Sequence, residues 1–455
     1  MDHQGEMKNT VLLLDLFGRR NRPYTLSYLY LSTFLDYLNI PYTIFRWHPG
    51  EDQALLDFIR SEKVTHVFIN LIMGPVLGLI GPIGKRIKTA FPNVQIWVGG
   101  SALPFISELL AASPYIDRVS SGHPRANPNA FISELINNGF DFSMPCNKQS
   151  FPPLVMNKHL NLFTHKHVAC EGTVETINIA SSSGCHHHCS FCYLSRMPNW
   201  CQSPQELVAD LIQLQDHYNI RYFEFADDNF PSNFYRVKQI IQRVKSAKLD
   251  FSFFCLASID VLNHKSLDLM TSGGLKKLYI GVDAIQTDQL HQLQKNYDTQ
   301  SVFQTIELVR EYPLDLTLAV VLGTYGETHN QVEDLYQWVQ QIQPEICSFA
   351  FLTPYPGTPM FEQAVHQGFI PPNTLAEWGE ISQFGVPKLL NPKISAGEYL
   401  EWRQRFIDLS TYDYRSGIGE SARRVPEQNI QDWPIGVGKH ANIYAISPNN
   451  PPIAN

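Results

Sequence analysis

Three closely spaced cysteines are the clearest chemical signal in the sequence. Cys185, Cys189 and Cys192 are separated by three and two residues. Thiolates are soft ligands that select iron–sulfur clusters, zinc or copper(I). A four-iron cluster normally takes four cysteines, and the sequence offers no obvious fourth beside these three. The spacing therefore favours a cluster in which one iron stays open to a further ligand.

Zinc is the main alternative for the same thiols. A structural zinc ion takes four ligands, and a histidine from the run His186, His187, His188 could be the fourth. However, no second pair of cysteines follows at the usual zinc spacing of roughly 12–20 residues. Three packed thiols without any metal are a weaker alternative, since clustered cysteines in a reducing compartment usually mark metal chemistry.

Composition narrows the class of protein. The chain has 455 residues, a formal net charge of -8 and eight cysteines. So few cysteines exclude a disulfide scaffold, and the acidic balance argues against non-specific nucleic-acid binding, which needs a lysine and arginine surplus. The most apolar stretch is broken by glycine and proline, so we expect no membrane-spanning helix. We expect a cytoplasmic protein of two or three domains.

The N-terminal quarter alternates apolar strands with amphipathic helices. This order predicts a doubly wound, Rossmann-like parallel sheet over residues 1–125. Ligands of such sheets bind beyond the carboxyl ends of the strands. Residues 126–174 then read as a linker, because Pro128, Pro145, Pro152 and Pro153 interrupt any long element.

A second alternation of strands and helices occupies residues 175–370. Its six predicted strands indicate a partial (β/α)6 barrel of the TIM type, whose chemistry sits at the carboxyl ends of the strands. The segment Ser203-Pro204-Gln205-Glu206 predicts a helix start with a capping box. Residues 371–455 are expected to be a short, mainly helical extension, with a helix near 396–410 and a polar end. The fold class is therefore α/β. The six barrel strands are predicted at 176–180, 222–225, 251–256, 277–282, 316–322 and 346–352.

The cysteine motif resembles the signature of the radical S-adenosylmethionine (SAM) superfamily. The match is Cys-x3-Cys-x2-Cys with an aromatic residue, Phe191, before the last cysteine. The resemblance implies that the three thiolates hold a [4Fe–4S] cluster, that Phe191 lines the cofactor site, and that SAM binds the open iron. One electron would then cleave SAM to methionine and a 5′-deoxyadenosyl radical.

Further segments resemble the SAM-binding strand ends of that superfamily. Asp227 and Asp228 follow the second barrel strand, where the family holds the methionine ammonium group. Asp283 ends an Ile-Gly-Val-Asp segment similar to the family's Ile-Gly-x-Glu. Ser258 occupies the strand end where relatives often carry arginine. Gly323 and Glu327 belong to a Gly-Thr-Tyr-Gly-Glu-Thr segment similar to the one beside the adenine.

The turn Thr353–Pro359 resembles the barrel-closing segment of radical SAM enzymes that carry an N-terminal cobalamin-binding domain. Tyr355 in this turn is the candidate catalytic residue at the barrel mouth, with Tyr193, Phe254, Phe351 and Phe361 as further candidates for its wall. The resemblance implies that the N-terminal domain binds cobalamin. The histidine motif that supplies a lower cobalt ligand in mutases is missing, and the loop after the first strand reads Asp-Leu-Phe-Gly-Arg-Arg. The candidate cobalamin contacts are Asn70, Met73, Gly99, Gly100 and Gly122.

Three functions follow from these patterns. The first is a cobalamin-dependent radical SAM methyltransferase that methylates an unactivated carbon of a small molecule or natural product. The second is a radical SAM enzyme that performs a rearrangement, cyclisation or ring contraction without methyl transfer. The third, in another class, is a non-catalytic zinc-binding protein. Either enzyme needs an external electron donor, such as a flavodoxin or ferredoxin, and neither is expected to bind nucleic acid.

Overall fold

The computed structural model of the chain describes residues 9–16, 24–71, 76–101, 103–120, 127–140, 151–169, 172–197, 199–370 and 393–410. The described residues form two compact units. One unit ends at His165, and the other begins at Lys166. The domain boundaries predicted at residues 125, 174 and 370 stay predictions.

The N-terminal unit contains a five-stranded sheet in the order β2-β1-β3-β4-β5. All four pairings between neighbouring strands are parallel, as the doubly wound pattern predicts. The strands are β1 (Val11–Asp15), β2 (Tyr42–Arg46), β3 (His66–Asn70), β4 (Gln95–Gly99) and β5 (Arg118–Val119). The helices between them are α1 (Leu26–Tyr37), α2 (Asp52–Ser61), α3 (Val76–Ala90) and α4 (Leu103–Ala111).

Burial explains why β1 forms where the sequence predicts it. All five residues of this strand are buried, which matches the nearly continuous apolar runs of strands covered on both faces. The edge strand β2 is only half-buried along its length. The core of the unit therefore lies around the central strands.

One helix lies within the predicted linker. Helix α5 (Pro128–Asn137) begins at Pro128, and the side chain of Asn127 caps it by accepting a hydrogen bond from the Ala130 amide at 3.1 Å. Proline is compatible with the first helical turn, because its missing N–H has no partner there in any case. Pro128 thus starts an element that the linker prediction did not include.

The second unit contains a seven-stranded sheet in the order β14-β13-β12-β11-β10-β7-β6. Six of these strands correspond to the six predicted barrel strands and pair in parallel with one another. They are β7 and β10 to β14. The strands are β6 (Thr164–Ala169), β7 (Gly172–Ile179), β10 (Ile220–Phe225), β11 (Ser252–Ser258), β12 (Leu275–Asp283), β13 (Asp315–Leu322) and β14 (Ile346–Phe351). Two short strands, β8 (Ser182–Ser183) and β9 (Trp200–Cys201), form a separate antiparallel pair.

Helices alternate with these strands, which confirms the predicted α/β class with a partial barrel. They are α6 (Pro204–Tyr218), α7 (Phe234–Ser246), α8 (His264–Ser272), α9 (Thr287–Gln292), α10 (Thr299–Arg310), α11 (His329–Ile342) and α12 (Pro359–His366). The predicted capping box at α6 is present. Ser203 Oγ accepts from the Glu206 amide, and the Glu206 carboxylate accepts from the Ser203 amide, both at 3.2 Å.

A last helix, α13 (Ala396–Asp408), confirms the predicted helical extension. It packs on β14, and Ser410 Oγ accepts a hydrogen bond from the Cys347 amide at 3.0 Å. The polar end predicted beyond it lies outside the described residues. Among the described helices, none is both long and apolar enough to cross a membrane.

Candidate metal and cofactor site

The three cysteines lie on one loop, which joins β8 to β9. These two strands pair with each other, so both ends of the loop are held together. Gly184 starts the loop with φ of +88°, and a Cβ atom there would collide with the side chain of Asn199. Only glycine meets both requirements. All three cysteines are free thiols of intermediate exposure.

The three thiols lie within electrostatic range of one another. Burial raises the pKa of Cys185, Cys189 and Cys192, that of Cys192 to about 12, and each pair among them interacts electrostatically. Without a metal, such thiols stay protonated. Metal binding deprotonates coordinating thiols, so three converging soft ligands in a partly buried loop fit an iron–sulfur cluster chemically.

The loop is anchored at Ser190, between the second and third cysteines. The Ser190 amide donates to the carbonyl oxygen of Leu293 at 3.0 Å, and its Oγ donates to that of Gln292 at 2.9 Å. The Met360 amide donates to the Ser190 carbonyl at 3.1 Å. The end of α9 and the start of α12 therefore fix the position of the cysteine loop.

The predicted catalytic Tyr355 also lies beside this loop. Its ring makes an edge-to-face contact with Tyr193, the residue after Cys192, with centroids 5.8 Å apart. Arg196 donates to the carbonyl oxygen of Gly357 in the same turn. The predicted proline-rich turn thus closes on the cysteine loop, while the catalytic role of Tyr355 stays a prediction.

Two other candidate aromatic residues, Phe351 and Phe361, lie in different surroundings. Phe351 is 1% exposed and packs against Phe349 and Tyr399, so its ring belongs to the core rather than to an open wall. Phe361 lies in the first turn of α12, where its amide donates to Thr358 Oγ at 3.2 Å.

The structure separates the two neighbouring aspartates after β10. Asp227 is fully buried, and its carboxylate accepts from the Ser181 amide and Oγ, both at 2.6 Å, and from Ser182 Oγ at 2.5 Å. Arg236 lies 3.9 Å from the same carboxylate. Asp227 is therefore occupied in holding the strand end that leads into the cysteine loop.

Asp228 has more capacity for a ligand. Among the described residues, only the Gly184 amide donates to its carboxylate, at 2.8 Å. Burial raises the pKa of Asp228 to about 6, although the Gly184 hydrogen bond opposes this shift. A half-buried carboxylate with spare acceptor positions beside the start of the cysteine loop is suited to an ammonium group.

Ser258, at the carboxyl end of β11, belongs to a polar network. Its amide and Oγ bond to the side chain of Asn229 at 3.3 and 2.9 Å, and its Oγ donates to Asp260 at 2.6 Å. His187 Nε2 lies 3.1 Å from both Ser258 Oγ and Asp260 Oδ1. Burial raises the pKa of Asp260, but hydrogen bonds from His187 and Ser258 outweigh burial and lower it to about 2.

Sequence reasoning did not predict this network, although His187 stands inside the cysteine motif. In the described part of the chain, the ligand atoms of Cys185, His186 and His187 lie within 4.8 Å of one another. This group holds one thiol and two histidines, whereas the zinc alternative would use three thiols and one histidine. The contacts of His187 with Ser258 and Asp260 instead tie its ring to the end of β11.

Asp283 ends β12 in an unusual conformation. Its φ is +65°, a region that residues other than glycine seldom occupy, and the strand register shifts between Gly281 and Asp283. The Asp283 carboxylate forms an ion pair with Lys295, and both side chains are 11% exposed. Sequence reasoning did not single out Lys295, because it lies beyond α9 and meets Asp283 only in the folded chain.

Gly323 and Glu327 are hydrogen-bonded to each other in the segment that follows β13. The Gly323 amide donates to the Glu327 carboxylate at 2.8 Å, and Tyr399 Oη donates to the same oxygen at 2.8 Å. Gln289 donates to the other oxygen at 2.9 Å. Glu327 is 2% exposed, so its carboxylate braces this loop against α13 and α9. The predicted adenine contact of this segment stays a prediction.

In the N-terminal unit, Asn70 and Gly99 end adjacent strands, and Gly100 follows. Gly100 has φ of +115°, and a Cβ atom there would collide with the carbonyl oxygen of Leu71 and the side chain of Asn70. A Cβ on Gly99 would meet nothing within 4 Å. The candidates Met73 and Gly122 lie outside the described residues.

Two further polar residues mark the same edge of the sheet. Arg46 Nε lies 3.0 Å from Asp15 Oδ2, and both side chains are buried. The guanidinium also stands 4.2 Å from the ring centroid of Tyr24. This buried pair at the ends of β1 and β2 was not predicted, because the two strands become neighbours only through the parallel pairing.

Part of the second unit is similar to a known superfamily. Residues 179–339 match the model of the Radical SAM superfamily. An uncharacterized methyltransferase of Pyrococcus horikoshii is 24% identical over 302 residues, 62% of this chain and 66% of that protein. Cytidylyl-2-hydroxyethylphosphonate methyltransferase of Streptomyces wedmorensis is 21% identical over 42% of this chain and 38% of its own length. The matches thus span less than two thirds of these relatives.

Solved structures match the whole architecture. The methyltransferase TsrM from Kitasatospora setae, a radical SAM protein solved with cobalamin and a [4Fe–4S] cluster, has a TM-score of 0.65 at 13% identity. That match covers 94% of this chain and 93% of TsrM. OxsB, a cobalamin-dependent radical SAM enzyme, gives a TM-score of 0.56 at 13% identity over 90% of this chain and 63% of OxsB. Residues 179–339 thus resemble the Radical SAM superfamily, and the chain has the fold of TsrM and OxsB.

Proposed function

We propose that this chain is a cobalamin-dependent radical SAM methyltransferase that methylates an unactivated carbon of a small molecule. The observation that carries the proposal is the placement of Cys185, Cys189 and Cys192 on one loop that is anchored through Ser190. Three thiols satisfy three irons of a four-iron cluster and leave the fourth for SAM. The same loop contacts the turn of Tyr355, which closes the barrel beside it.

The residues around the loop suit the groups of SAM. Asp228 offers a carboxylate to the ammonium group, while Asp227 is already occupied by Ser181 and Ser182. Ser258, held by Asn229 and His187, is the proposed polar contact at the strand end where relatives carry arginine. Phe191 would cover the cluster between two of its ligands.

The N-terminal unit is the proposed cobalamin domain. At Gly99, which ends β4, the protein itself does not require the lack of a side chain, because a Cβ atom would meet nothing within 4 Å. Close approach of a ligand to the backbone explains such a glycine. We propose that the cobalamin nucleotide tail passes Gly99, near Asn70 and Gly100.

When bound, the cluster supplies the electron that cleaves SAM to a 5′-deoxyadenosyl radical, and cobalamin supplies the methyl group. The protein holds these groups and excludes water from them. The external electron donor would be a flavodoxin or ferredoxin in the cytoplasm. Relatives named for phosphonate and hopanoid methylation and a TsrM structure with bound tryptophan favour a small-molecule substrate.

The test is anaerobic turnover with SAM, a strong reductant and supplied cobalamin. The proposal expects both S-adenosylhomocysteine and 5′-deoxyadenosine, together with product heavier by one methyl group. A Cys189→Ala variant should form neither, whereas Cys201→Ala, at an exposed cysteine outside the motif, should match the wild type. Finding 5′-deoxyadenosine without any methylated product would favour the rearrangement alternative, a class that the cyclase named among the relatives also represents.

A further inference from the structure

Lys295 is a buried cation beside the cysteine loop. Its side chain is 11% exposed, and its Nζ lies 5.7 Å from the ring centroid of Phe191, between the second and third cysteines. Its charge also interacts with the Cys189 thiol. Burial raises the pKa of all three thiols, and the charge of Lys295 lowers the pKa of each of them. The lysine therefore acts electrostatically on the complete ligand set.

The backbone around Asp283 and Lys295 fixes the position of this ion pair. Asp283, the ion-pair partner of Lys295, ends β12 with φ of +65°. Strained backbone of this kind is concentrated at functional sites. The Lys295 amide donates to the Leu290 carbonyl at 2.9 Å, and Tyr297 Oη donates to that of Gly281 at 3.2 Å. Both ends of the ion pair are thus fixed.

Stability alone does not explain the pair. Replacing a buried ion pair by well-packed apolar residues is often neutral or stabilising. The other charged side chains that act on Cys185 and Cys189 among the described residues are Asp228, Asp260 and Asp283. These are all anionic, so Lys295 is the cation that offsets them at the thiols.

We propose that Lys295, held in place by Asp283, sets the reduction potential of the cluster. The inference rests on the proposed function, in which the three thiolates hold a [4Fe–4S] cluster. Net charge and hydrogen bonds to the sulfurs set such potentials, and groups behind the ligands tune the metal. Adding one electron from a low-potential reductant makes the cluster one unit more negative. A fixed positive charge at Cys189 favours that reduced form, and Asp283 limits the effect.

The test is a reductive titration of the anaerobic, reconstituted full-length protein without SAM, followed by electron paramagnetic resonance. Lys295→Met should make the midpoint potential more negative and lower the ratio of reduced to oxidised cluster at least tenfold at a fixed potential, about 59 mV for one electron. Asp283→Asn should shift the midpoint in the opposite direction, because it leaves the lysine uncompensated. Lys295→Arg keeps the charge and should stay near the wild type.

Iron content per chain accompanies every titration. If Lys295→Met fails to hold iron, the other two variants still test the proposal. Asp283→Asn should make the midpoint potential less negative, and Lys295→Arg should keep the midpoint potential of the wild type. Equal potentials in all variants, or a shift of both single-charge variants in the same direction, would overturn the assignment even though the wild type carries a cluster and cleaves SAM. A wild type without a cluster would instead overturn the proposed function, and this inference with it.

Discussion

The Met360 amide donates a hydrogen bond to the Ser190 carbonyl at 3.1 Å, and this contact joins the start of α12 to the cysteine loop. Ser190 stands next to Cys189 and makes two further bonds to the end of α9. One residue between the ligands thus connects segments that follow β12 and β14. The ligand geometry is set by the barrel rather than by the loop alone.

Removing the side-chain part of this anchor should loosen the loop. Ser190→Ala loses the 2.9 Å bond from Oγ to the Gln292 carbonyl, worth about 1 kcal/mol. We expect faster iron release to a chelator at unchanged initial iron content. The matched control is Ser246→Ala, which removes an equally long bond from a serine to a helix carbonyl on α7. Equal release rates in both variants would show that the anchor does not hold the cluster.

The two adjacent glycines of the N-terminal unit should respond differently to alanine. Gly100→Ala combines a positive φ with a collision against Leu71 and Asn70, and we expect a loss of about 2 kcal/mol or more of stability. Gly99→Ala meets open space, so the apoprotein should keep its thermal transition. If cobalamin passes this residue, the Gly99 variant should still bind it several-fold more weakly. Undiminished cobalamin binding by Gly99→Ala would remove that contact from the proposal.

Asp228 should make the stability of the apoprotein depend on pH. Burial raises its pKa from 3.8 to about 6, so the stability it contributes is present below pH 3.8 and is lost as pH rises through 6. Asp228→Asn should remove this part of the pH dependence and leave the apoprotein at least as stable at pH 7.5. Denaturant unfolding of the apoprotein at pH 5 and pH 7.5 measures the difference.

The same substitution should weaken SAM binding at pH 7.5. A hydrogen bond to a charged group contributes about 1.5–3 kcal/mol, which corresponds to roughly a 10- to 100-fold rise in Kd by equilibrium dialysis. Asp216→Asn, at an exposed aspartate on α6, serves as the control and should change neither quantity. Wild-type affinity in the Asp228 variant would assign the ammonium group to another residue.

Glu327 should matter for stability more than for binding. Its carboxylate accepts hydrogen bonds from Gly323, Gln289 and Tyr399. Glu327→Gln replaces one carboxylate oxygen by an NH2 group, which cannot accept a hydrogen bond from any of these donors. An unsatisfied buried donor costs about 1–3 kcal/mol. We expect a lower unfolding midpoint in denaturant, and a smaller loss in Tyr399→Phe. A larger effect on SAM affinity than on stability would instead support the predicted adenine contact.

The sequence predicted the strands well because their patterns are local. Apolar runs and alternating helices located all six barrel strands, and the capping box of Ser203 fixed the start of α6. Pro128 was misleading, because the same residue that interrupts a helix also starts one. A single residue type thus supported two opposite local structures.

The features of the site that the sequence did not predict depend on long-range contacts. Asp227 and Asp228 are indistinguishable in sequence, and only their partners Ser181 and Gly184 separate them. Lys295 meets Asp283 through a β-bulge and a turn that carry no strong sequence signal.

The most direct measurement concerns the wild type purified without oxygen, reconstituted with iron and sulfide, and given SAM and dithionite. We predict close to four irons per chain, the count of one [4Fe–4S] cluster, and release of 5′-deoxyadenosine, both lost in Cys185→Ala and kept in Cys201→Ala. Protein that holds no iron, or that holds iron and leaves SAM intact under reduction, would show that the three thiols do not form this cluster site.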